Sequence, residues 1–147
     1  MEQVLNYIKI DEKISTSGQP TQEEFERIAS NGFAVVINLA LSSAANAVEN
    51  EDVIVKNLGM NYIHIPVDFE NPTLSDLKIF MDIMVALNEK KVWVHCAKNY
   101  RVSAFMYVYH KYILRTPFEE INLSLFEEWS PNAKWQELMK AELQNLD

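Results

Sequence analysis

The sequence contains a single cysteine, Cys96, among its 147 residues. One thiol cannot form an intramolecular disulfide or a cysteine-rich metal site, and after oxidation it has no resolving partner within the chain. The thiolate form of cysteine is a nucleophile and a metal ligand. Any thiol chemistry in this chain is therefore confined to Cys96.

Positive charge is also scarce, since the chain has 13 Lys and Arg residues and 21 Asp and Glu residues, which gives a net charge of −8. Broad nucleic-acid surfaces need an excess of basic residues, so an anionic ligand must be attracted by a local feature. The longest apolar stretch, 33–48, is interrupted by polar residues, and the first six residues lack the basic start and apolar core of a signal peptide. We therefore expect a cytoplasmic protein that contacts neither nucleic acid nor membrane.

The segment His95-Cys96-Ala97-Lys98-Asn99-Tyr100-Arg101 supplies such a local feature. An apolar strand predicted over 91–95 ends at Cys96, and a helix is predicted to begin near Arg101. Loop N–H groups and a helix N-terminus favour both an anion and a thiolate, and an arginine can bind two oxygens of a phosphate. We predict Cys96 as the nucleophile. The predicted substrate-binding residues are Ala97, Lys98, Asn99, Tyr100 and Arg101.

Other residues are candidates for supporting roles. His95 precedes Cys96 on the strand, so its side chain should face away from the loop and help to keep the thiol ionised, although a core histidine fits the pattern almost as well. Cleavage of a phosphate ester needs a general acid, for which Asp68 is the first candidate and Glu70 the second, unless both only solvate a turn. His64 and His110 lack the spacing of metal ligands, so we predict no metal and no cofactor.

Helical and extended patterns alternate along the chain. A capping box formed by Thr21 and Glu24 predicts a helix over 22–30. The other predicted helices cover 44–58, 74–90 and about 100–113, and two more begin at Thr116-Pro117 and Ser130-Pro131. The predicted strands cover 4–10, 13–17, 33–39, 61–66 and 91–95. This order predicts a single α/β domain over 1–147, with a mostly parallel central sheet of four to five strands flanked by helices. The loops after Pro66 and His95 should leave the same edge of that sheet.

At 95–101 the chain resembles the cysteine-dependent phosphatases of the dual-specificity and tyrosine-phosphatase superfamily. The segments 17–21, 35–39, 65–68 and 94–96 follow the order seen in small bacterial members, such as the phosphatase-like domain of beta-lactamase-hydrolase-like proteins. The resemblance implies a fold of the phosphotyrosine protein phosphatase II type. It also implies that Cys96 forms a phosphocysteine, that Arg101 clamps the phosphate and that Asp68 is the general acid. The implied substrate is a phosphorylated small molecule or a phosphoprotein.

The loop differs from the superfamily pattern in length. Four residues separate Cys96 from Arg101, one fewer than in these phosphatases, and Val102 follows the arginine, so Ser103 is the candidate for the supporting hydroxyl. The spacing resembles that of rhodanese-like sulfurtransferases, which carry a persulfide on the cysteine, and a non-catalytic anion-binding module is a third hypothesis. None of the three glycines lies in the loop, so we predict that Asn99 takes the positive φ that such loops need. The pattern does not indicate an oligomeric state.

Overall fold

A five-stranded sheet lies at the centre of the protein, in a computed structural model that describes residues 1–141. The strands are β1 (Ile8–Lys9), β2 (Ile14–Ser17), β3 (Val35–Asn38), β4 (Asn61–His64) and β5 (Val92–His95). Their order across the sheet is β1-β2-β5-β3-β4, and only the β1–β2 pair is antiparallel. The predicted mostly parallel sheet is confirmed, and β5, which delivers Cys96, lies at its centre.

Within the described residues, five α-helices flank the sheet: α1 (Gln22–Ser30), α2 (Glu51–Asn57), α3 (Leu74–Ala86), α4 (Tyr100–Tyr109) and α5 (Ala133–Met139). A π-helical turn continues α4 over His110–Leu114, and two short 3₁₀ turns cover Phe118–Glu120 and Ser124–Glu127. No helix within residues 1–141 combines the length and the apolar character needed to cross a bilayer.

The two faces of the sheet carry separate hydrophobic clusters. Side chains alternate along a strand, so Val92 and Val94 pack on one face with residues of α3, α4 and α5. Trp93 packs on the other face with Phe25 of α1 and Val55 of α2. The alternation places Cys96 in the first cluster and directs His95 towards α1, where its ring meets the edge of Phe25. The prediction that His95 faces away from the loop is confirmed.

The local helix signals hold where the side chains make the predicted bonds. Thr21 accepts from the Glu24 N–H, and the Glu24 carboxylate accepts from the Thr21 N–H, so α1 has a complete capping box and the predicted bounds. Thr73 caps α3 through the Asp76 N–H. That helix ends at Ala86 rather than Lys90 because residues 87–90 form a closing turn.

The strand predicted over 4–10 is wrong except at Ile8–Lys9. A hydrogen bond from the Tyr7 N–H to the Val4 carbonyl turns the chain, and Asn6 has a left-handed φ of 52°. A left-handed residue cannot continue an extended strand. The segment is used instead to hold the cysteine loop.

The helix predicted over 44–58 begins only at Glu51. Residues 41–50 form turns, most of them exposed, and Asn50 is left-handed with φ of 59°. Its apolar residues are exposed or only half-buried, and most helical stability in proteins comes from the burial of an apolar face. The high helix propensity of alanine is therefore not sufficient to form a helix over 44–50.

The C-terminal predictions also needed correction. Thr116-Pro117 opens a 3₁₀ turn of three residues rather than an α-helix. The last helix begins at Ala133 rather than at Ser130-Pro131, because the Asn132 side chain accepts from the Trp135 N–H and caps it there.

Candidate active site

The cysteine loop joins the end of β5 to the start of α4. Cys96 follows His95 directly, and Asn99 immediately precedes α4 with a left-handed φ of 70°. Asparagine tolerates this conformation better than most residues because its short polar side chain can hydrogen-bond locally. The prediction that Asn99 replaces a glycine in the loop is confirmed.

The carbonyl groups of the loop are tied to the surrounding chain. The Ala97 carbonyl accepts from the Gln19 N–H at 3.1 Å and from Asn46 Nδ2 at 3.0 Å, and the Lys98 carbonyl accepts from Asn6 Nδ2 at 2.9 Å. By contrast, the N–H groups of residues 97–102 have no acceptor among the described residues. A row of free N–H groups at a helix N-terminus favours an anion.

Five of the predicted site residues line one cavity of about 240 Å³, together with Phe69. They are Cys96, Ala97, Lys98, Tyr100 and Arg101. Cys96 is only 1% exposed. The thiol is therefore sheltered from bulk water at the point where the free N–H groups begin.

Arg101 is the most informative side chain in this cavity. It is 7% exposed, and its Nη1 donates to the Val67 carbonyl at 2.8 Å. Within residues 1–141 no carboxylate lies at ion-pair distance from its guanidinium. Arginine is almost never buried without an anionic partner, so the remaining donors are available to an anionic ligand.

The Arg101–Val67 bond also brings the loop that carries Asp68 to this edge of the sheet. Asp68 itself is exposed, and its Oδ1 accepts from the Glu70 N–H at 2.9 Å. The neighbouring Phe69, rather than Asp68, lines the cavity. Asp68 and Glu70 thus lie next to the site, without a contact to Cys96.

Two other predicted residues lie outside the cavity. Asn99 is fully buried, and its Nδ2 donates to the Asn6 carbonyl at 2.8 Å and to Thr16 Oγ1 at 3.1 Å. Ser103 Oγ is buried and has no hydrogen-bond partner among the described residues. Ser103 lines a separate small crevice with Thr16, so it makes no bond to the Cys96 thiol in this structure.

An aromatic wall, formed by Phe69, Tyr100 and Trp129, borders the cavity. The Tyr100 ring stacks on Trp129 with centroids 5.1 Å apart and planes 7° apart, and Phe69 lies 5.7 Å from Trp129. Trp135 Nε1 donates to the Phe69 carbonyl at 2.9 Å and fixes the position of that residue. One side of the entrance is therefore flat and apolar.

A second and larger cavity of about 740 Å³ lies between the turns at 41–50 and the side chains of Tyr62 and His64. It is lined by Glu49, Glu51 and Asp52 and by no lysine, arginine or cysteine. Of these two cavities in the described part of the chain, the smaller one combines a nucleophile, a buried cation and free N–H donors. We therefore assign the chemistry to the smaller cavity.

Sequence reasoning missed Glu51, a buried carboxylate that lies beneath the loop and contacts His95. It lay in the middle of the helix predicted over 44–58, and its partner is 44 residues away in the chain. A lone glutamate at the start of a helix carries no signal for such a contact.

The left-handed turn at Asn99 leads to a test. Asn99→Ala should be less stable than Asn99→Gly by about 1–2 kcal/mol, because alanine carries the Cβ penalty of a positive φ and glycine does not. Both variants lose the bonds to Asn6 and Thr16, so the difference isolates the backbone conformation. Urea unfolding monitored by circular dichroism measures it, and equal stability of the two variants would contradict the assigned φ.

A cysteine and a buried arginine on a strand-loop-helix unit, at the carboxyl end of a mostly parallel sheet, are typical of cysteine-phosphatase folds. Within that class, residues 6–142 match the PTP-NADK family, described as a DSP-PTPase phosphatase fused to NAD⁺ kinase. The chain belongs to this family of phosphatase domains, which places it among the hydrolases.

Solved structures of other proteins share this fold. A DUF442 candidate phosphatase from Shewanella putrefaciens CN-32 has a solved structure that is 32% identical, with a TM-score of 0.87 over 94% of this chain and 88% of that one. The core catalytic domain of the PP-IP phosphatase SIW14 from S. cerevisiae shares the fold, with a TM-score of 0.77 at 15% identity over 97% of this chain and 89% of that one.

A curated relative is much longer than the matched region. The beta-lactamase hydrolase-like protein of Xylella fastidiosa (strain Temecula1) is 30% identical over 100 residues. These residues are 66% of this chain but only 23% of the relative. The chain thus corresponds to about a quarter of that protein.

Proposed function

We propose that the protein hydrolyses a phosphomonoester through a phosphocysteine intermediate on Cys96. The observation that carries the proposal is Arg101, a buried guanidinium that has no carboxylate partner among residues 1–141 and lines the same cavity as the thiol. The free N–H groups of the loop add donors for the phosphate oxygens. Such fixed donors stabilise charge where it develops in a transition state.

The proposed reaction has two steps. The Cys96 thiolate attacks phosphorus, so an S–P bond forms while the P–O bond to the leaving group breaks, and Asp68 gives its proton to the leaving oxygen. Water then attacks the phosphocysteine, the S–P bond breaks, and Asp68 takes a proton from that water. The products are an alcohol or phenol and inorganic phosphate, and the thiolate is regenerated.

The shape of the cavity bears on the substrate. A volume of about 240 Å³ holds a phosphoryl group and part of its leaving group, and the aromatic wall offers a flat surface to an aromatic ring. Lys98 is the one side-chain cation besides Arg101 among the lining residues. We therefore propose an aryl phosphate, in a small molecule or on a phosphoprotein, rather than a highly charged polyphosphate.

Tyr100→Ala should raise the KM for an aryl phosphate by about two- to tenfold, since an aromatic contact contributes about 0.5–1.5 kcal/mol. The KM for an alkyl phosphate of the same charge should change little. Phe126→Ala is the matched control, because Phe126 also packs on Trp129 but does not line the cavity. Steady-state kinetics on both substrates measures the effect, and an equal rise in both KM values would contradict a stacking role.

The test of the function is hydrolysis of an aryl phosphate from about pH 5 to about pH 8, with a metal chelator present. Rapid acid quench and intact mass spectrometry should detect one added phosphoryl group. Saturable phosphate binding without an adduct or turnover would indicate a non-catalytic anion-binding module. Turnover of thiosulfate with a persulfide adduct would indicate the sulfurtransferase. The family match includes the loop, so the four-residue spacing does not remove the chain from the phosphatase family.

Two further expectations belong to this proposal. A nucleophilic thiol is maintained where the surroundings are reducing, which favours a cytoplasmic location. We also propose that residues 1–147 act as one phosphatase-like domain.

A further inference from the structure

Both ring nitrogens of the buried His95 face hydrogen-bond acceptors. Nε2 lies 2.7 Å from Glu51 Oε2, and Nδ1 lies 3.2 Å from the Cys96 carbonyl oxygen. A carbonyl or an ionised carboxylate only accepts, so each contact requires an N–H on the ring. Imidazole carries two N–H groups only as the cation. The geometry therefore favours an imidazolium at His95.

The surroundings of Glu51 favour its ionised form. Gln19 Nε2 donates to its Oε1 at 2.6 Å, and His95 Nε2 lies 2.7 Å from its Oε2. Two donors thus converge on one buried carboxylate, and a charged acceptor satisfies them best.

The shifts in the pKa of Glu51 and of Tyr62 agree with this geometry. Burial tends to raise the pKa of Glu51, but the hydrogen bonds from His95, Gln19 and Tyr62 outweigh burial and hold the pKa below its ordinary value. Burial and the Glu51 charge raise the pKa of Tyr62, so the phenol keeps its proton at neutral pH.

Few other charges reach His95. The Phe25 ring packs against the imidazole from α1 with centroids 5.9 Å apart, and Glu51 meets it from α2. Asp52, the next residue on α2, is exposed and acts on Tyr62. Arg101 and Lys98 belong to the cavity that contains Cys96, on the other side of the strand end. Glu51 is thus the counter-ion of His95.

We propose that Glu51 is a positioning residue for the nucleophile, because it holds His95 as an imidazolium bonded to the Cys96 carbonyl and this fixed cation favours the thiolate. Gln19 holds the carboxylate in place. The inference rests on the proposed function in taking the Cys96 thiolate as the nucleophile. It can nevertheless be measured on the thiol itself, without turnover.

The test uses Glu51→Gln, which keeps the size of the side chain and removes its charge. Cys96 is the only thiol, so the rate of alkylation by iodoacetamide reports on it alone. The variant should be alkylated about tenfold more slowly near pH 6, because the thiolate rather than the thiol is the form that reacts. The acidic limb of its kcat/KM profile should move to higher pH.

Asp52→Asn is the matched control, since it makes the same charge change one residue away and has no bond to His95. It should be alkylated like the wild type. Equal alkylation of Glu51→Gln and wild type would overturn the proposal, even if the variant melts at a lower temperature, because the role would then be structural only.

If Glu51→Gln does not fold, ¹⁵N NMR of the wild-type imidazoles decides. Two protonated ring nitrogens on His95 at about pH 7.5 support the proposal, and a single one overturns it. A tenfold alkylation difference in a protein without aryl-phosphate turnover would refute the proposed function and leave the role of Glu51 standing. Turnover without that difference would support the proposed function and overturn the role of Glu51.

Discussion

Replacement of Cys96 by serine is expected to lower aryl-phosphate hydrolysis by about 10⁴-fold or more, the scale seen when a covalent nucleophile is lost. The serine hydroxyl keeps its proton at neutral pH and has no adjacent base, so the loop N–H groups have no anion to stabilise at that atom. Initial rates of wild type and variant at equal concentration measure the loss. The phosphoryl adduct should disappear from the mass spectrum together with the activity.

The same variant should still bind the product. Arg101 and the free N–H groups of residues 97–102 are unchanged, so inorganic phosphate should titrate the variant with an affinity close to that of the wild type, as measured by calorimetry. Loss of both binding and turnover would point to a damaged loop instead of a missing nucleophile. Turnover within about tenfold of the wild type would show that Cys96 does not carry the reaction.

Features of the fold with short-range causes could be predicted from the sequence. The capping box at Thr21 and Glu24 fixes the start of α1 within four residues. The loop needs a residue at positive φ, and Asn99 could be identified as that residue because the loop contains no glycine. The buried strand before Cys96 also follows from a local apolar run, since a parallel strand covered on both faces needs one. These signals act within one turn or one strand.

The predictions that failed concern segments whose conformation depends on long-range contacts. Asn46 lies in a turn and donates to the Ala97 carbonyl, a bond that spans 51 residues. Asn6 likewise leaves the strand conformation and bonds to Lys98 and Asn99, more than 90 residues away. The sequences of segments 4–10 and 44–50 contain no local pattern that indicates these partners. Both segments give up regular structure and bind the cysteine loop.

The same distinction applies to the candidate site. The residue types of the loop and the edge of the sheet were predictable, because the loop follows one strand and the Asp68 segment follows another. Side-chain direction was less predictable: Ser103 was the candidate for the supporting hydroxyl, yet it lines a different crevice from Cys96. Helix rotation decides that outcome, and a loop one residue shorter changes the rotation of the helix that follows it.

Asp68→Asn is expected to lower kcat by about 10²–10⁴-fold, as for other enzymes that lose a general acid. The amide cannot give a proton to the leaving oxygen, so the loss should be largest for esters of weakly acidic alcohols and phenols. It should become small when the leaving phenol is strongly acidic and departs as an anion. A series of substituted aryl phosphates measures this dependence.

Glu70→Gln is the matched control for this experiment, because Glu70 is exposed, lies on the same loop and changes charge equally. The Arg101–Val67 bond anchors the residue next to Asp68, whereas Glu70 is two positions further from that anchor, so Asp68 is the better placed to swing towards the cavity. If Glu70→Gln shows the leaving-group dependence and Asp68→Asn does not, the general acid is Glu70. If neither variant slows a thiosulfate-dependent reaction of Cys96, the chemistry needs no general acid, and a persulfide would replace the phosphocysteine as the intermediate.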